Sequence, residues 1–365
     1  MNILFWVGYA NPRWDKGTWE NNGIGGSEYC VLKLADYLDT LGHDITISGD
    51  VNTGNWYGVK YVHYNDLSKN MGPIGLDNHH TSTQVHTHYD VVIAINYINY
   101  FPHLEKVGIT FDKNYFWMHN EEFYKWYRGV EWDGWKDAIN KIDGIVGVSE
   151  FHANILKDHF KALGYTPSQS NTYIHSIDNA IDLGDYKNRQ TLDKIPGRII
   201  WTSSPDRGLD FILDNWLDWK RVRPDLSLAI LSPQYGEKWF NRDIASLPDV
   251  EWQGARCPID LKNEIDKAEY WIYVSDYVET YCISALEMMM GKVKLITSGP
   301  GNLENLVTND RGVIVDINPD TVREVLIDDK INWDNKITNA YNWAVQQNWN
   351  VRVNEWLNLV NYEQK

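Results

Sequence analysis

Short apolar runs recur along this chain, each followed by a polar or glycine-bearing turn and then by a segment with helical spacing. Residues 2–8 form the first run, nearly continuous, as expected of a strand buried on both faces of a parallel sheet. A polar, Trp-containing loop leads to Asn22-Gly23-Ile24-Gly25-Gly26-Ser27-Glu28. That segment opens a helix with Tyr29, Val31, Leu32, Leu34, Ala35 and Leu38 on its apolar face. Further strands are expected over residues 43–48, 90–95, 115–118 and 142–148, the last running into a helix that opens at Ser149-Glu150. Repeated units of this kind make the first half a doubly wound α/β domain.

Between residues 166 and 197 the apolar periodicity weakens and Asn, Asp, Ser and Gly accumulate, which predicts a connection between domains. The pattern resumes at residues 198–202, followed by Ser203-Ser204-Pro205-Asp206-Arg207-Gly208 and a helix over 209–219. Strands are expected over 226–231, 250–254 (ending at Gly254), 271–274 and 293–297, with a helix over 261–268. The turn Ser298-Gly299-Pro300-Gly301-Asn302 leads into another helix, and residues 337–362 predict two helices with a break near Asn348. The expected domains are 1–185 and 186–348, with the helix in 349–365 returning to the first. The fold class is α/β, with two doubly wound Rossmann-like domains facing each other across a cleft.

Several strand-to-helix turns carry candidate chemistry. Gly25 and Gly26 let the backbone approach a ligand just where a helix N-terminus supplies partial positive charge, although the spacing departs from Gly-x-Gly-x-x-Gly. A tight loop packed on the sheet is the alternative. Arg207 can offer a diphosphate paired, planar donors, with Ser203 and Ser204 adding hydroxyls; otherwise Arg207 pairs on the surface with Asp206 or Asp210.

The segment Val278-Glu279-Thr280-Tyr281-Cys282-Ile283-Ser284-Ala285-Leu286-Glu287 holds two carboxylates eight positions apart. A helix starting near Thr280 puts Glu279 just before the first turn and Glu287 two turns on, with the N–H groups of Tyr281, Cys282 and Ile283 facing a phosphate. The competing reading is a capping box with Ser284 as N-cap and a helix of only about two turns; the longer helix is the expectation. His119 follows the strand over 115–118, where side chains line the crevice of an open parallel sheet, or else it is a satisfied strand-end histidine.

Composition narrows the partners. A formal net charge of −16 argues against nucleic acid, whose phosphates need clustered Lys and Arg, but not against a small phosphorylated ligand bound by local cations and helix ends. Three cysteines (Cys30, Cys257, Cys282) without metal-type spacing indicate a reducing compartment. The start of the chain lacks a signal core, and nothing approaches a transmembrane span, so the expected location is the cytoplasm. His79, His80, His86 and His88 lie in a polar, glycine-rich stretch with no nearby Cys, which favours an exposed loop over a metal site.

With Glu279 and Glu287, Ser203 to Gly208, Gly25-Gly26 and His119 in this order, nearly the whole chain resembles the retaining nucleotide-sugar glycosyltransferases of family 4, which have the GT-B fold. The glutamate pair looks like that family's Glu-x7-Glu signature. The resemblance implies that Glu279 contacts the donor sugar, Glu287 the ribose, Ser203 to Arg207 and the Tyr281 to Ile283 segment the diphosphate, Gly25-Gly26 the donor phosphate and sugar, and His119 the sugar's 6-position. Gly254 is included among the donor-binding residues. The chain departs from the family in two places: Ser203 stands where an Arg is common, and Cys282 replaces the usual glycine. The implied partners are a nucleoside-diphosphate-sugar donor and a glycan or glycoconjugate acceptor. No cofactor is implied, and without an Asp-x-Asp triplet no metal is expected. The competing functions are a non-catalytic binder of sugar nucleotides or glycans, a nucleotide-sugar epimerase, and a Rossmann dehydrogenase. The last is disfavoured by the glycine spacing.

Overall fold

The computed structural model of the 365-residue chain describes residues 1–10, 12–67, 86–96, 100–120, 125–126, 130–131, 134–164, 173–187, 192–233, 236 and 240–361. It divides into two compact units. The first comprises Met1–Thr18, Gly26–Asn179 and Trp349–Lys365, and the second Trp19–Gly25 and Ala180–Asn348.

The first unit is built on strands β1 (Asn2–Gly8), β2 (Asp44–Gly49), β3 (Gly54–Trp56), β4 (Val59–His63), β5 (His88–Ile95) and β6 (Thr110–Met118). A short antiparallel ribbon, β7 (Lys125–Trp126) with β8 (Val130–Glu131), is followed by β9 (Gly144–Gly147) and β10 (Tyr173–Ser176). The sheet order is β10-β9-β6-β5-β1-β2-β4-β3, parallel except for the β3–β4 pair. Side chains alternate across a strand, and here both faces are buried. Leu4, Trp6, Val92, Ala94, Phe116 and Met118 enter one apolar cluster, while Ile3, Phe5, Val91, Ile93, Tyr115 and Trp117 are buried on the other face. This is why β1 and β5 read as continuous apolar runs.

β10 lies inside the stretch expected to be a connection. It is an edge strand of four residues with none buried, so it lacks the apolar run that marks the others. The C-terminal helix Trp349–Asn361 belongs to this unit and packs on the helix Gly26–Thr40. Trp356 meets Trp117 edge-on at 5.0 Å, and β6 reaches the helix's last turn, where Lys113 donates to the Val360 carbonyl and the Tyr115 hydroxyl to that of Leu359.

The second unit holds β11 (Arg198–Trp201), β12 (Ser227–Ile230), β13 (Val250–Trp252), β14 (Tyr270–Tyr273), β15 (Lys294–Thr297) and β16 (Val313–Ile314). They form one parallel sheet in the order β13-β12-β11-β14-β15-β16, the 3-2-1-4-5-6 arrangement of nucleotide-binding doubly wound sheets. Helices Leu209–Val222, Pro258–Lys267 and Ile283–Met290 connect its strands. Among the described residues no helix is long and apolar enough to cross a membrane.

Candidate functional site

Doubly wound sheets bind ligands beyond the carboxyl ends of their strands, at the point where strand order reverses. In the second unit this point lies between β11 and β14. The turns that leave these two strands carry Arg207 and Glu279 respectively.

After β11, the Trp201 indole donates to the Ser203 carbonyl at 2.8 Å, the buried Ser204 hydroxyl donates to the Asp206 carboxylate, and Pro205–Arg207 makes one 3₁₀ turn. Gly208 ends that turn at φ +116°, where a Cβ would stand 2.7 Å from that of Ser275. Only glycine gives both this backbone and this close packing on the end of β14. The alternative pairings for Arg207 do not form: Asp206 accepts from Ser204, and Asp210 faces Arg242 at 3.2 Å. Arg207 instead lies 4.5 Å over the Tyr277 ring and donates to Oε1 of Glu279 at 3.3 Å.

Glu279 is buried, and its Oε1 also accepts the Tyr273 hydroxyl at 2.5 Å. Its backbone is pinned by the turn after β15. Asn302 donates its N–H to the Glu279 carbonyl at 2.8 Å and its side-chain amide to that of Tyr281 at 3.3 Å. Gly301, at φ +64°, comes so close that a Cβ would be 2.5 Å from the Glu279 oxygen. Tyr273, Gly301 and Asn302 are therefore parts of the site that sequence reasoning did not assign to it. The glycine turn was visible, but not what it packs against.

The helix expected from Thr280 starts instead at Ile283 and ends at Met290, so Tyr281 and Cys282 precede it and the first helical N–H groups are those of Ile283 and Ser284. The cause is Cys282, the N-cap residue, held in the left-handed region at φ +80° and ψ 76°. The two-turn length is therefore correct, although Ser284 is not the cap. A glycine adopts this conformation without steric cost, and a cysteine does so under strain. The buried Cys282 thiol is pushed well up by burial and then by the charge of Glu279, with Glu287 adding less and Arg207 opposing. Both glutamates thus act on one buried atom.

Glu287 is half-buried, four residues after Ile283 in the helix Ile283–Met290. Burial pushes its carboxyl up to about 7, opposed by Lys262 and reinforced by Asp185. Lys262 is itself buried, 3.5 Å from the Asp185 carboxylate and 5.6 Å from the Tyr186 ring centre. Gly254 follows β13 at φ +67°, at the sheet edge two strands from β11. Gly25 groups with the second unit, whereas Gly26 opens the first unit's helix Gly26–Thr40. The neighbouring Gly23 makes the close approach, with φ +74° and a Cβ position 2.6 Å from the Arg256 carbonyl.

His119 stands just past β6 in the first unit, buried, its N–H donated to Oδ1 of Asn96 at 2.7 Å and its ring 4.8 Å from that of Trp117. Burial, with the nearby His152, pushes its imidazole down to about 3. His152 is pushed down to about 4, chiefly by burial. It accepts the Val148 N–H on Nδ1 at 3.2 Å, which leaves Nε2 to donate to the Asn120 carbonyl at 3.0 Å. Both histidines are neutral near pH 7.

His79 and His80 lie outside the described residues. His86 pairs with Asp44 at 3.0 Å. His88, Asp90 and Asp112 bring ligating atoms within 4.8 Å of one another at the amino ends of β5 and β6, the opposite end of those strands from His119.

No family model matches the chain, and no curated protein sequence matches it. Solved structures do. Anabaena HepE in complex with UDP and glucose superposes with a TM-score of 0.66 over 99% of each chain at 12% identity. AviGT4, a glycosyltransferase involved in avilamycin A biosynthesis, gives 0.61 over 99% of this chain and 98% of its own at 13% identity. The pneumococcal O-GlcNAc transferase GtfA, with UDP and GlcNAc, gives 0.54 at 15% identity over 74% of this chain; the match spans 56% of GtfA's own length. The chain has the GT-B fold, with two α/β units each built on a largely parallel sheet.

Proposed function

We propose that this protein transfers a sugar from a nucleoside-diphosphate-sugar donor to a hydroxyl of a glycan or glycoconjugate, with retention of anomeric configuration, as in family 4. One observation carries the proposal. At the strand-order reversal of a nucleotide-binding sheet, Glu279 is a buried carboxylate held on one oxygen by Tyr273 and Arg207, with a second acidic residue, Glu287, on the helix that follows. The fold shared with HepE and AviGT4 supports this reading.

In the proposed reaction the bond from the anomeric carbon to the diphosphate oxygen breaks and a bond to the acceptor oxygen forms on the same face. The acceptor proton passes to the departing phosphate oxygen. Arg207 and the N–H groups around Ile283 stabilise the charge that grows on the diphosphate, with Ser203 and Ser204 as hydroxyl partners; such fixed donors supply large rate factors. Glu279 orients the sugar and Glu287 the ribose. His119 serves the sugar as a neutral imidazole. We assign nucleotide binding, including Gly25 and Gly254, to the second unit and acceptor binding to the first, in the cytoplasm and without a metal.

Thermal-shift measurements with UDP-, GDP- and ADP-sugars test the reading. A donor at about 100 times its Kd adds about 2.7 kcal/mol, a Tm rise of roughly 5–10 °C for a domain of this size. Turnover of the same labelled donor separates an enzyme from a non-catalytic binder, the anomer of the product reports retention, and unchanged rates in EDTA report independence from metal. If no sugar nucleotide raises Tm or is turned over, the proposal fails.

A further inference from the structure

Tyr273 is the last residue of β14, 1% exposed, and its ring is stacked on two indoles. Trp201, ending the neighbouring strand β11, lies 5.4 Å away with planes 11° apart, and Trp271 lies 5.2 Å away at 20°. Both tryptophans are buried. A ring so held cannot swing its hydroxyl to another partner without unpacking the sheet end, because buried aromatic stacks are close-packed. That hydroxyl donates to Oε1 of Glu279, the same oxygen that accepts from Arg207. Burial and the Glu279 charge push the phenol well above its ordinary range, so it remains the donor.

The two donors differ in freedom. Arg207 sits on a loop, half-buried and stacked on the exposed Tyr277, whereas Tyr273 is fixed within the sheet. When a diphosphate draws Arg207 towards itself, a buried carboxylate with no other donor becomes costly. We infer that Tyr273 is a positioning residue for Glu279: its phenol holds Oε1 in place while Arg207 engages the diphosphate, which presents the other carboxylate oxygen to a hydroxyl of the donor sugar. This inference rests on the proposed function.

Tyr273→Phe keeps the ring stack and removes only the hydroxyl. The test is calorimetric titration of the full-length protein with UDP, GDP and ADP and with the glucose conjugate of each, together with transfer kinetics. The variant is expected to bind the nucleoside diphosphate within about threefold of wild type, to bind its sugar conjugate about tenfold more weakly, and to lose about tenfold in kcat. Glu279→Gln gives the same sugar-selective loss without touching the stack, and the double variant is no worse than the worse single one, because the two residues act through one contact. Equal weakening of diphosphate and sugar conjugate, fully additive losses, or no loss in Tyr273→Phe overturns the positioning role alone. Failure of the wild-type protein to bind any sugar nucleotide overturns the proposed function and this inference together.

Discussion

The two strand-end regions share a topology but differ in electrical character. Beyond β6 of the first unit, His119 and His152 are buried and uncharged, tied into the backbone through Asn96, Val148 and Asn120. Beyond β11 and β14 of the second, a buried carboxylate is matched by a guanidinium and a phenol, and the helix that follows carries a second carboxyl with a buried lysine near it. A doubly wound sheet fixes where a crevice opens, not what charge it carries. The residues that leave the strands set the charge, and burial decides whether each stays ionised.

The comparison breaks most decisively at Arg207. Arg207→Ala is expected to reduce transfer by about 10²- to 10³-fold while far-ultraviolet circular dichroism stays that of the wild type. Full turnover in that variant means that the charged region does not serve the diphosphate. In the neutral region the corresponding change is structural: His152→Ala leaves the Val148 N–H and the Asn120 carbonyl without their partner, a loss of about 3 kcal/mol that denaturant unfolding reads directly.

Acidity sharpens the contrast, because the two regions respond with opposite sign. A histidine held below its ordinary value, as His152 is at about 4, gives stability that is present above pH 6.5 and lost as pH falls. A carboxyl held above its ordinary value, as Glu287 is at about 7, gives stability that is present below about pH 4.5 and lost as pH rises towards 7. Glu287→Gln is therefore expected to gain up to about 3 kcal/mol relative to wild type near pH 8 and little near pH 4, measured as the difference in Tm across that range. A difference independent of pH means that Glu287 is not buried as an acid.

Burial also explains which parts were legible. β1, β5, β11 and β14 are covered on both faces, so their side chains form apolar runs in the sequence itself. β10, a four-residue edge strand with none buried, leaves no such run and reads as a connection. Residue type predicts a helix from Thr280, three residues before its start at Ile283, because composition is indifferent to the sign of φ at Cys282. The glutamate pair and Arg207 could be singled out from residue type and spacing. Their mutual contact, and the fact that Arg207 passes over Asp206 and Asp210, depended on where Gly208 and Ser275 let the loop lie.

By itself, then, the order of apolar runs and polar turns determined two parallel α/β sheets and the turns on which charged groups stand, since hydrophobic periodicity is a local property of the chain. Only the tertiary structure decided that Tyr273 meets Glu279, that Gly301 and Asn302 clasp its backbone from the turn after β15, and that Glu287 lies near Lys262 and Asp185. Those partners come from separate strands, turns and helices. Nothing local in a sequence records which of them the sheet order will bring side by side, or how much water their meeting will exclude.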